Sequence, residues 1–161
     1  MPSFDVVSAV DMQEVKNAVD QVQRELANRY DFKGSKASIE LKDALIIILS
    51  DDEMKHKALQ EVLKQKLAKR NVSLKSVEFK ETEKAGGDML RQEVTVKESL
   101  SEEELKKLNK LIKNEKLKVS VSIQGDQLRI AHKQRDMLQD TINFLKEKAS
   151  DLPLQFTNFR D

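Results

Sequence analysis

The chain of 161 residues has no cysteine and no tryptophan, one tyrosine, six phenylalanines, four glycines and two prolines. Without cysteine there is no disulfide framework, thiol nucleophile or cysteine-built zinc site, and the composition suits a reducing, cytoplasmic setting. Two histidines, His56 and His132, are too few for most histidine-built metal cages. Long apolar runs are missing too. The longest, Ala44 to Leu49, falls far short of a bilayer span, and the amino end has no basic region followed by an apolar one. Neither a membrane protein nor a secreted one is expected. Nor does charge of one sign dominate, because 29 Lys and Arg face 28 Asp and Glu. A net charge of +1 gives no global attraction to nucleic acid or anionic lipid, so any polyanion site must be local.

What is present is regular. Charged residues make up 35% of the chain, but their signs are interleaved and apolar residues recur at fixed spacings, which is the pattern of a folded protein. The periodicity predicts a strand near 3–8, a helix near 12–29, a hairpin across 37–49, a helix near 51–70 and a strand near 74–82. The same order then recurs: strand near 90–97, helix near 102–115, hairpin across 117–131, helix near 133–149 and strand near 154–159. Three pairs, Asp11/Glu14, Ser50/Glu53 and Ser101/Glu104, place a capping side chain three residues before a carboxylate. Leu100 and Leu105 add a hydrophobic staple to the last of these.

The chain therefore reads as one βαββαβ unit written twice. Phe4, Val6 and Asp11 match Val94, Val96 and Ser101 at an offset of 90, whereas Ile46, Ile48, Ser50 and Leu63 match Leu128, Ile130, His132 and Leu145 at an offset of 82. The first copy holds eight more residues after its first helix, and the segment from Arg29 to Lys36 has that length. Such repeats predict an α+β protein of two ferredoxin-like, RNP-like domains with antiparallel sheets. The Gly86-Gly87 turn is a hairpin signal that seats the strand at 90–97 beside the fourth strand, in the first sheet. The amino-terminal strand then goes to the second sheet, beside 154–159. This exchange of strands predicts one domain over 11–97 and a discontinuous one over 1–10 and 98–161.

Matched positions also expose a difference in charge. Three helices open with acidic first turns, but the fourth opens with His132-Lys133-Gln134-Arg135, where Asp51 and Glu53 of the first copy have become Lys133 and Arg135. Cations oppose the dipole at a helix amino end, and a bound phosphate would reverse that penalty. The alternative is solvated surface charge neutralised by Asp136. The insert is a second candidate site: Tyr30 and Phe32 offer stacking faces among Arg29, Lys33 and Lys36. Its structural alternative has Arg29 serving the helix carboxyl end and Tyr30 continuing the helix's apolar stripe.

Strand alternation leaves Ser120, Ser122, Gln127 and Arg129 on an open, polar sheet face. It puts Phe159 there with Gln155 and Thr157, as an interface residue or a stacking platform. In the first copy, Leu45, Ile47 and Leu49 make both faces of a strand apolar, which suggests that this sheet is covered, by the other domain for example. Catalysis finds little support, since neither histidine sits in a nucleophile or metal motif and no Walker or Rossmann loop is present. His56 is read as facing solvent on its helix, and His132 has no partner acid to make it a base.

Four separated segments carry a resemblance: Pro2-Ser3-Phe4-Asp5-Val6-Val7-Ser8, Arg29-Tyr30-Asp31-Phe32-Lys33-Gly34-Ser35, Arg135-Asp136-Met137-Leu138-Gln139, and Pro153-Leu154-Gln155-Phe156-Thr157-Asn158-Phe159-Arg160. Together they resemble the bacterial YajQ family of nucleotide-binding proteins, over the whole chain. The resemblance implies two ferredoxin-like domains with exchanged strands and binding of nucleotides or RNA. For some members it implies recognition of cyclic di-GMP with consequences for transcription and virulence. Where family members carry a small residue and two lysines before the Arg-Asp pair, this chain reads His132-Lys133-Gln134, one positive charge fewer. RNA-recognition modules of similar topology stack bases on central-strand aromatics, and the matching positions here are Asp5, Val7 and Arg129.

The expected function is that of a non-enzymatic, cofactor-free cytoplasmic nucleotide-binding protein, with cyclic di-GMP as the favoured ligand and GTP or ATP as others. Lys133 and Arg135 hold phosphate in this reading, His132 lies beside them, and Arg129 or the Tyr30/Phe32 loop touches base or ribose. One alternative is a module for tRNA or another RNA, laid along the open sheet. The other is a protein-interaction adaptor whose Phe159 surface docks a partner, such as a transcription regulator.

Overall fold

The computed structural model describes every residue from Met1 to Asp161. In chain order it contains β1 (Ser3–Val7), α1 (Met12–Asn28), β2 (Ser38–Lys42), β3 (Leu45–Ser50), α2 (Glu53–Lys69), β4 (Val77–Phe79) and β5 (Glu83–Lys84). Then come β6 (Leu90–Val96), α3 (Glu102–Asn114), β7 (Ser120–Gln124), β8 (Gln127–Ala131), α4 (Arg135–Lys148) and β9 (Gln155–Arg160). The chain divides into two units: Met1–Ala9 with Ser99–Asp161, here unit 1, and Val10–Glu98, here unit 2. Each is ferredoxin-like, an antiparallel sheet with two helices packed on it, unit 1 in the chain order βαββαβ and unit 2 in the order αββαβββ.

In unit 1 the strand order is β7-β8-β1-β9. Alternation along β1 and β8 turns Phe4, Val6, Leu128 and Ile130 towards the helices, where they pack with Leu105, Leu108 and Ile112 of α3 and Leu138, Ile142 and Leu145 of α4. Ser101 and Glu104 close a reciprocal capping box at α3, and Leu100 and Leu105 are both buried in the same core.

In unit 2 the order is β2-β3-β6-β4, with β5 also paired to β6. Here Val15, Val19 and Val22 of α1 meet Leu59, Leu63 and Leu67 of α2 over Ile46, Ile48 and Val94. Ion pairs Lys66–Glu25 (3.3 Å) and Arg70–Glu14 (3.5 Å) join the two helices at the edge of that core. On the face away from the helices Ile47 is buried between its register partners Glu40 and Glu93, while Leu45 and Leu49 stay half-buried.

Two expectations change at element boundaries. The strand expected near 74–82 is a 3-10 turn at Leu74–Ser76 followed by two short strands. It breaks where the Gln92 side chain, rather than a ladder partner, donates to the Lys80 carbonyl (2.7 Å). And Ser50 is not the cap of α2. It ends β3, and Asp52 takes the Lys55 N–H at 2.8 Å, two residues nearer the helix.

Candidate functional site: a groove at the start of α4

Of the residues singled out from the sequence, Arg129, His132, Lys133, Arg135 and Phe159 lie in unit 1, and Arg29, Tyr30, Phe32, Lys33 and Lys36 in unit 2. The start of α4 differs from those of the other helices. Asp11, Asp52 and Ser101 accept backbone N–H groups at α1, α2 and α3, but Gln134 makes no side-chain cap at α4. Instead the His132 ring accepts the Gln134 N–H at its Nδ1 (2.9 Å), and the His132 N–H donates to the Pro2 carbonyl (3.1 Å). His132 thus shapes the turn leading into the helix. The helix begins at Arg135, not at 133, because Gln134 still has an extended backbone. Lys133 precedes it, exposed, and Arg135 occupies its first turn, where the guanidinium meets the Asp161 carboxylate.

A groove of about 190 Å³ opens beside this turn, floored by Leu138 and Ile142, walled by Phe159 and Pro2, and rimmed by Arg135 and Asp161. That volume is below the roughly 300 Å³ at which pockets enclose a drug-sized molecule, so the groove has room only for a small group held at the surface. Phe159 stands in it with 63% of its surface exposed, its ring stacked on buried Phe4 at 5.7 Å. This corrects the placement of Phe159 on the open face with Gln155 and Thr157. Asp5 faces Thr157 and Ser3 faces Arg160, so Asn158 and Phe159 together stand opposite Phe4 in a β-bulge, and Asn158 has a positive φ of 57°. The extra residue turns Phe159 to the helix side.

Arg129 lies on the uncovered face of the sheet, and there it is tied down. Its Nε donates to Asp5 at 3.0 Å, Asn158 Nδ2 donates to the other Asp5 oxygen at 2.6 Å, and Arg160 approaches to 3.9 Å. Burial pushes the Asp5 carboxyl up. The hydrogen bonds from Arg129 and Asn158 and the charges of Arg129 and Arg160 outweigh it and hold the group below its usual range.

In unit 2 the insert separates its two aromatics. Phe32 is 5% exposed, within the core, with the Arg29 guanidinium 5.5 Å over its ring, so it offers no face to a ligand. Tyr30 is 89% exposed and does not continue the stripe of α1, because the helix ends at Asn28 and a 3-10 turn over Tyr30–Phe32 redirects the chain. Arg29 grips Asp31 with two hydrogen bonds (2.9 and 2.8 Å), and the Lys36 N–H donates to Asp51 (3.2 Å). The side chains of Lys33 and Lys36 are exposed.

His56 overturns its solvent-facing reading. It is 4% exposed, between Ser50 Oγ at 2.7 Å from Nδ1 and Gln92 Oε1 at 2.9 Å from Nε2. Gln92 donates its amide N–H to Lys80, so its oxygen must accept, and the His56 Nε2–H donates to it. This Ser–His pair is sealed in the core, with Ser50 fully buried, and no substrate can reach it. Its position was legible: His56 lies three residues before Leu59 and seven before Leu63, on the buried stripe of α2. Asn158 had a signal as well, since asparagine is depleted in strands but tolerates a left-handed backbone.

Fold and groove define a class, a two-unit α+β protein of ferredoxin-like units in which α4 starts without a side-chain cap. The family model for YajQ-like nucleotide-binding proteins matches residues 2–160, and this chain belongs to that family. It is 52% identical over 161 residues, all of both chains, to a protein of Magnetococcus marinus named nucleotide-binding protein. A protein of the same name from Trichlorobacter lovleyi is 51% identical over the full length of both. A third, from Desulfitobacterium hafniense, is 49% identical over 158 residues, covering 98% of this chain and 97% of the relative. No helix is long and apolar enough to cross a membrane.

Proposed function

We propose that this chain binds a nucleotide without transforming it, and that cyclic di-GMP is the ligand. A base lies in the groove against Phe159, and phosphate is held by Arg135, Lys133 and the uncapped N–H groups at the start of α4. The observation that carries this reading is the meeting, in one groove, of an uncapped helix start bearing Arg135 and an exposed aromatic ring. Uncapped N–H groups and guanidinium are the partners phosphate seeks, and an aromatic face stacks a base of any kind. A groove of this size takes one base and leaves the rest of a dinucleotide on the surface, as befits a reversible cytoplasmic effector that passes its state to the transcription machinery through a regulator protein. The names of its relatives agree with nucleotide binding.

Arg129, held by Asp5 on the other face of the sheet, lies outside this site. It belongs to a second reading, in which RNA follows the open face of unit 1. There Ser120, Ser122, Gln127, Thr157, Arg129 and Arg160 offer neutral donors and two guanidiniums.

Calorimetric titration with cyclic di-GMP and, separately, GTP and ATP at two salt concentrations tests the proposal. Saturable binding by the native chain should weaken at least tenfold in a Lys133→Glu/Arg135→Glu variant of native stability, since a charged hydrogen bond contributes roughly 1.5 to 3 kcal/mol. Absence of binding, or binding indifferent to both substitutions, overturns it. The RNA reading predicts affinity for a single strand that falls steeply with salt, about 0.7 in the log–log slope for each phosphate neutralised.

A further inference from the structure

We infer that Asn158 and Asp5 are positioning residues for the groove: the left-handed bulge at Asn158, pinned from the open face by the Asp5 carboxylate, is what turns Phe159 into the groove. Its consequence for ligand affinity rests on the reading of the groove as a nucleotide site; the placement of Phe159 does not.

Along β9, Phe156 faces the helices beside Phe4, and Thr157 opposite Asp5 faces away. Simple alternation would bring residue 158 back to the helix side and send 159 to the open face. The bulge inserts one residue, and everything after it changes side: Phe159 stacks on Phe4, and Arg160 stands opposite Ser3 on the open face, 3.9 Å from Asp5. The bulged residue needs a positive φ, which asparagine adopts more readily than any β-branched residue. Asn158 is held there by its own side chain, whose amide donates to Asp5 at 2.6 Å. Asp5 is 2% exposed and fixed independently by Arg129, so the anchor is rigid. An ionised carboxylate can only accept, and it selects the donor that asparagine carries and aspartate lacks.

The chain has no tryptophan, so Phe159→Trp introduces a single reporter whose emission reads the surroundings of position 159. In the full-length Phe159→Trp protein, Asn158→Gly keeps access to the left-handed backbone but removes the pin to Asp5, and indole emission and iodide quenching should move from those of the Asn158 parent only part of the way that Asn158→Val takes them. Asn158→Val disfavours that backbone and should shift the emission to the red and raise quenching. Asn158→Asp removes the donor and sets a second carboxylate against Asp5, and it should move both readouts in the same direction without changing side-chain size. A folded Asn158→Val or Asn158→Asp protein whose indole signals match the parent overturns the inference. Cyclic di-GMP affinity is measured in parallel with Phe159 restored. Asn158→Val and Phe159→Ala should each weaken it about tenfold, the order expected for a lost stacking partner. If the indole moves while neither substitution changes affinity, the placement by Asn158 and Asp5 holds and the nucleotide reading of the groove falls.

Discussion

The helices α2 and α4 begin at matched positions of the repeat, yet one beginning is closed and the other open. In unit 2, Asp52 caps the helix, and Ser50 is drawn inward to the buried His56–Gln92 network. In unit 1, His132 stands where Ser50 did, Gln134 where Asp52 did, and Arg135 where Glu53 did. Gln134 provides no side-chain cap for α4, and the first turn of that helix carries Arg135 beside Asp136. One topology thus yields a terminus capped by its own side chain and another whose first N–H groups take no side-chain cap.

Substitutions at these positions can sharpen or erase the contrast. His56→Ala has the largest expected effect. It leaves the buried Ser50 hydroxyl without its side-chain partner, Gln92 with Gln60 and Lys80 alone, and a cavity between them, a cost of about 3 kcal/mol. Urea unfolding with amide exchange should place that loss in α1, α2 and β3, with α3 and α4 little changed. Exchanging the caps comes next. Asp52→Ala should lower the stability of unit 2 by about 1 kcal/mol, whereas Gln134→Asp should raise that of unit 1 by a similar amount. On the proposed nucleotide reading, the same Gln134→Asp should weaken cyclic di-GMP binding in calorimetry, because a carboxylate then occupies the N–H groups assigned there to phosphate. The last effect is one of pH dependence and concerns Asp5. Its folded carboxyl titrates below the unfolded one, so its contribution is present above the unfolded value near pH 4 and is lost as pH falls through the folded value. Asp5→Asn should therefore flatten the acid limb of stability below about pH 4 while leaving its shape above pH 6 unchanged, as read by thermal unfolding across pH.

Periodicity and caps made the helices, hairpins and ferredoxin-like repeat legible, because each rests on local rules that the sequence states openly. The capping box of Ser101 and Glu104 is one such rule, and the stripe of α3 another. What escaped depends on a single residue altering a rule for those around it. Asn158 breaks alternation and carries Phe159 to the other face, and Asp52 competes with Ser50 for the same cap. The insert shows the limit from another side. Tyr30 and Phe32 are two residues apart and alike in composition, but the turn of α1 at Asn28 sends one to solvent and the other to the core. Arg135 and Phe159, distant in sequence, come together only because β1 holds β9 beside the start of α4.

Asp5 has a further consequence, in the order of synthesis. β1 is made before every other strand, while its two sheet neighbours, β8 and β9, are made after all the rest. Ser3–Val7 must therefore wait unpaired while unit 2 is built, an apolar, strand-forming segment with open hydrogen-bonding edges. A carboxylate at its centre interrupts the run of Phe4, Val6 and Val7, and a charge within such a segment disfavours its pairing with copies of itself. The charge that later anchors Arg129 and Asn158 is, until they arrive, a gatekeeper.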